Sequence, residues 1–139
     1  MSNTEYPEEI LQSLEDYNID IRDFMPGHGK GAKLLLNFNK ITGIDQVDGV
    51  ILKGREIANG IIADIIIKEG TKHEDPIHLC FGVNKQTGVQ EIFPRIIAED
   101  NTSVKVQAHC SFPNADGLIH KMFEHFLVDL IHLYLIISF

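Results

Sequence analysis

The chain has 139 residues, with 12 Lys and Arg against 20 Asp and Glu, a net charge of −8 and an apolar fraction of 44%. That length suits one domain whose core can form without a metal or disulfide staple. The acid excess and the lack of any Lys/Arg cluster argue against a nucleic-acid partner, because phosphate-backbone binding needs clustered cations. Cys80 and Cys110 stand thirty residues apart with no CxxC spacing and read as free thiols of a reducing cytoplasm. The opening MSNTEYPEEI carries three acids and no apolar run, so it reads as neither a signal nor a transit peptide.

Residues 7–17 place Ile10, Leu11, Leu14 and Tyr17 on one stripe, with Pro7 at the first helical position and Glu8 and Glu9 in the first turn. This spacing predicts a short amphipathic helix that needs a surface to dock on. Residues 26–33, PGHGKGAK, form a loop. Its glycines and Lys30 could make an anion nest, but the GxxxxGK[ST] spacing is missing and a plain loop is the better reading.

From Ala32 to Phe112 the chain is a series of short runs rich in Ile, Val and Phe, ended by Gly, Asn, Asp and Pro. That is the pattern of successive strands. Two runs resemble each other at an offset of 31 residues: Ile65 to Thr71 and Ile96 to Thr102, each an apolar strand, acidic residues, a Gly or Asn, then Thr. Such a unit buries its apolar face by stacking on a copy, which predicts a solenoid of parallel strands, with a hairpin sandwich as the alternative. Alternation predicts Ile65, Ile67, Leu79, Phe81, Val104, Val106, Ala108 and Cys110 to face inward. His78 and Cys80 then share the opposite face, and His109 points outward.

Residues 123–139, FEHFLVDLIHLYLIISF, contain twelve apolar residues and no Gly, Pro, Lys or Arg. Phe123, Phe126, Leu127, Leu130, Ile131 and Tyr134 follow helical spacing and predict an apolar helix. It is too short, and carries too many polar residues in Glu124, His125, Asp129 and His132, for a membrane span. The expected organisation is an N-terminal helix and glycine loop over 1–31, a β core over 32–122, and a helical tail over 123–139.

The ordered series Pro76 to Gly82, Gly88 to Gln90, Ile92 to Arg95, Ile97 to Asn101 and Ala108 to Ala115 resembles the SufB/SufD family, especially its short archaeal-type members. The likeness runs from about Asn18 to Met122, and Gly60 to Thr71 shares the family's strand-and-turn pattern. The resemblance implies a right-handed parallel β-helix core belonging to the cytoplasmic scaffold that assembles iron–sulfur clusters. It also implies a SufC-type ATPase and a second SufB/SufD-like subunit as partners, and a transient iron–sulfur cluster as cargo. No Walker motif, nucleophile elbow or HExxH is present, in keeping with a non-catalytic scaffold. Family-like sequence stops at His120 to Met122, where relatives continue with further coils and a helical SufC-docking segment. The resemblance thus implies a truncated or frame-shifted copy with weakened SufC binding.

Thiolate and imidazole are ligands that iron and zinc favour, so Cys80, His78, His109 and Cys110 are the candidate metal ligands. Adjacent strand residues point apart, so His109 and Cys110 cannot both ligate without a bulge, and Cys110 reads first as a core thiol. His78 and Cys80 make a half-site. His73, Glu74 and Asp75 form a charged turn, and Glu99 and Asp100 sit at a strand corner. The alternative function is a small metal- or thiol-dependent enzyme on a β scaffold using Cys80, His78 and His109. A peripheral membrane role for the tail is a third reading.

Overall fold

Ile61, Ala63, Ile65 and Ile67 are fully buried, while the intervening Ile62, Asp64 and Ile66 are partly exposed. A period of two with one apolar face is what a half-buried strand requires. The computed structural model describes Glu8, Gln12, residues 31–128 and residues 131–138, those beyond 125 by their backbone alone. Among the described residues there are ten strands: β1 (Lys33–Asn37), β2 (Lys40–Asp45), β3 (Val50–Ile57), β4 (Gly60–Ile67), β5 (Ile77–Gly82), β6 (Gly88–Ala98), β7 (Thr102–Ser111), β8 (Leu118–Met122), β9 (His125–Val128) and β10 (Ile131–Ser138). No helix among the described residues is long and apolar enough to cross a membrane.

The strands build two mixed sheets. The first has the order β10-β7-β5-β1-β2, and the second β3-β4-β6-β8, with β9 also paired to β6. Two antiparallel hairpins, β1–β2 and β3–β4, begin the pair of sheets. From β5 to β8 the chain visits the sheets in alternation, β8 and β9 both lie beside β6 in the second sheet, and β10 returns to the first; every pairing made from β5 onward is parallel.

The two similar runs are direct neighbours. Ile65 pairs with Ile96 and Ile66 with Ile97, so the sequence offset of 31 is the register of the β4–β6 ladder. Their corners stack as well. Gly70 and Asn101 both take left-handed backbone, at φ 78° and 57°. The Gly70 N–H donates to Asp100 O at 3.0 Å, the Ser103 N–H to Thr71 O at 2.9 Å, and the Glu69 N–H to a Glu99 carboxylate oxygen at 3.0 Å. Glycine and asparagine are the residues that tolerate this conformation.

The core lies between the sheets. It includes Leu34, Leu52, Ile61, Ile65, Leu79, Phe81, Ile96, Val104 and Val106, and all eight residues expected to face inward are buried.

The helix expected over residues 123–139 is corrected: this segment forms β9 and β10. Arg95 pairs with His125 and Thr102 with Ile131, offsets of 30 and 29 residues, so the tail falls in phase with the preceding strands. Helical spacing was a poor guide because an apolar segment this dense satisfies both periods. The exposed N–H and C=O rows of β6 and β7 are better partners for it than a short helix's own turns. The N-terminal helix expected over 7–17 lies outside the described residues apart from Glu8 and Gln12, as does most of the glycine loop.

Candidate functional site

Parallel pairing gathers the candidate ligands differently from their order in the chain. On the outer face of the first sheet, Leu35, Cys80 and His109 lie in one row across β1, β5 and β7, and Lys33, His78 and Gln107 in the next. His78, Cys80 and His109 therefore share one face, as the alternation implied. The rings of His78 and His109 stack with centroids 6.0 Å apart and an interplanar angle of 21°.

This face is not solvated. Lys33, Leu35, His78, Cys80 and His109 are all buried, and the Lys33 ammonium lies 3.8 Å from Asp45. Burial, and then the neighbouring His78 ring, hold the His109 imidazole down at about 4. β5 is buried on both of its faces, which alternation of apolar residues alone cannot reveal.

Cys110 faces the other way, into the core between the sheets. Opposite it, on the inner face of the second sheet, stands His120, whose Nε2 is 3.7 Å from the Cys110 Sγ. His120 Nδ1 is 2.7 Å from Gln90 Oε1, and Gln90 is its direct partner in the β6–β8 ladder. The Gln90 amide nitrogen donates to Phe38 O at 2.6 Å and lies 3.4 Å from Gly82 O. Gly82 O already accepts from the Phe38 N–H, so it is the short contact with Phe38 O that turns the amide nitrogen away from His120 and leaves the oxygen facing it. His120 accordingly carries its proton on Nδ1 and turns the Nε2 lone pair to Cys110. The Phe112 ring borders the imidazole at a centroid separation of 4.9 Å. Burial pushes the Cys110 thiol up to about 12 and lowers the His120 pKa, so both are neutral at pH 7.

The other candidates take structural places. His73 Nε2 is 2.7 Å from Asp48 O in an exposed turn. Glu99 anchors the stacked corner through the Glu69 N–H and lies 3.9 Å from Lys68. Among the described residues, no three of His, Cys, Asp and Glu are grouped to enclose a metal ion. A groove of about 460 Å³ on the outer face of the second sheet is lined by Phe93, Arg95, Ile97, Phe123, Glu124 and His125, with the two Phe rings stacked 4.9 Å apart.

Sequence reasoning passed over His120 and Gln90. The signal that could have found them is the repeat: the two lie 30 residues apart, one strand period, and His120 alternates with Leu118 and Met122 on the inward side of β8.

The sequence is similar to those of known proteins. The chain is 39% identical over 95 residues to an iron–sulfur cluster assembly SufBD family protein of Methanocaldococcus jannaschii, covering 68% of this chain and 30% of that protein. It is 38% identical over 90 residues to a protein of the same description from Pyrococcus horikoshii, covering 65% of this chain and 28% of the relative. The chain thus spans under a third of the length of these relatives. No family model matches it. No solved structure matches it.

Proposed function

Because the chain belongs to the SufBD family of iron–sulfur cluster assembly proteins, we propose that it is a scaffold component of the SUF assembly system, without catalytic turnover of its own. The observation that carries this reading is the 39% identity maintained over 95 residues. Its strand chemistry agrees: parallel partners return at offsets of 29 to 31 residues from β4 onward within the second sheet and from β5 onward within the first. One winding of a β-helix per repeat would produce that constancy. Parallel crossovers are right-handed in almost all known cases, which makes the winding right-handed.

On this reading the iron–sulfur cluster is cargo held in passing, and the partners are a SufC-type ATPase and a second SufB/SufD-like subunit in the cytoplasm. The stretch given by these 139 residues matches under a third of each relative's length, and by itself it holds the ATPase more weakly than a whole relative does.

Capture on immobilised SufC-type ATPase, with a full-length SufBD relative as reference, tests this. The chain is expected to bind at least tenfold more weakly than the reference when alone, and to be co-captured when a full-length SufBD subunit is present. Binding as tight as the reference would overturn the expected weaker grip and put the ATPase contact within this stretch. Failure to associate in either setting would remove the scaffold role.

A further inference from the structure

We infer that Cys110 and His120 form a two-donor site for a soft or borderline metal ion, held between the inner faces of the two sheets at the β7–β8 end. Four features of the corner carry it. The Sγ to Nε2 separation is 3.7 Å. A zinc-type ion about 2.3 Å from sulfur and about 2.0–2.1 Å from nitrogen, with a near-tetrahedral angle between them, spans about 3.6 Å. The separation of the two donors matches that bite.

The second feature is orientation. A ligating imidazole almost always donates its other N–H to a fixed acceptor, which sets the tautomer and the ring plane. Gln90 Oε1 does this for His120 Nδ1 at 2.7 Å, and Gln90 is itself held by Phe38 O. The third is the donor set, since thiolate with imidazole suits zinc, copper and iron rather than magnesium or calcium. The fourth is access. Cys110 is buried in the core, whereas His120 is partly exposed, so an ion enters past the imidazole.

Binding is a displacement: the ion forms one bond to sulfur and one to Nε2, the thiol proton leaves to solvent, and no electrons change hands. Among the described residues, no third His, Cys, Asp or Glu is grouped there. The site stands on this geometry alone and does not depend on the assembly role.

The test is titration of the reduced, full-length chain with Cd2+, whose thiolate complexes absorb strongly in the ultraviolet. The expected result is charge-transfer absorption saturating at one ion per chain, with one proton released and reversal by Zn2+ or chelator. Cys80→Ser should leave it unchanged, Cys110→Ser should abolish it, and His120→Gln should weaken it at least tenfold. Circular dichroism checks that each variant is folded. Because Cys110 is a core residue, a second measurement on the unaltered chain is the shift of the His120 Nε2 nitrogen-15 resonance on adding Zn2+. No saturable absorption, absorption that survives Cys110→Ser or disappears with Cys80→Ser, or an unmoved Nε2 resonance would overturn the site.

Discussion

Gly60 offers a sharp test of the β4–β6 ladder. Its φ is not among the positive values in the chain, so the backbone there could accept any residue and Gly60→Ala would ordinarily stabilise a strand by about 0.5–1 kcal/mol. Here a Cβ would overlap the Glu91 carbonyl oxygen and lie 2.6 Å from its carbonyl carbon and 3.0 Å from its Cα. These are backbone atoms and cannot swing aside. Relief requires opening the first rung of the ladder, with loss of the 2.8 Å bond from the Glu91 N–H to Asn59 O and strain on the next rung, where Ile61 and Ile92 are both fully buried. Two weakened hydrogen bonds at about 1 kcal/mol each, with partial exposure of that pair, give a cost of about 2–4 kcal/mol. Gly70→Ala is the control. It has φ 78° and nothing within 4 Å of the added carbon, so only the conformational cost of about 1 kcal/mol applies. Urea unfolding of the whole chain measures both. A Gly60→Ala variant no less stable than Gly70→Ala would refute the register of the parallel ladder.

Other expectations follow from burial and charge. Ile65→Ala should cost about 2–5 kcal/mol in the same assay, because Ile65 is fully buried between the sheets, whereas Ile66→Ala on the other face should cost clearly less. Lys33 is buried 3.8 Å from Asp45, so Asp45→Asn, which takes an anion away from a buried cation, should destabilise more than Lys33→Met, which replaces the cation with an apolar chain of similar reach. Asp64 accepts two hydrogen bonds from Arg95, at 2.5 and 2.7 Å, and its pKa is lowered by them. Its contribution is therefore present above the unfolded carboxylate pKa and lost as pH falls from there through the lowered folded value. Urea midpoints of the parent chain and Asp64→Asn should differ by a constant amount above that window and converge within it. The effect is small because the pair is largely solvated, and a difference that grows on acidification would contradict the assignment.

The strand character of residues 32–112 was legible because Ile, Val and Phe alternate with polar residues between Gly, Asn and Pro stops, and these are local properties. The inward set from Ile65 to Cys110 was legible for the same reason, as was the pairing of the two runs 31 residues apart, since a repeated strand and corner carries its own register. Three things were decided only in three dimensions. Residues 123–139 read as a helix because apolar density fits either period, and the open edges of β6 and β7 settled the matter by offering backbone partners. The burial of the face that carries His78 and Cys80 was not legible, because alternation says which side a residue faces, while the burial of that side depends on what lies over the sheet. Cys110 read as an isolated core thiol because its neighbour His120 sits ten residues on and in the other sheet. Alternating visits to two sheets bring the two inner faces together, and a distance set by sheet packing has no trace in a linear pattern.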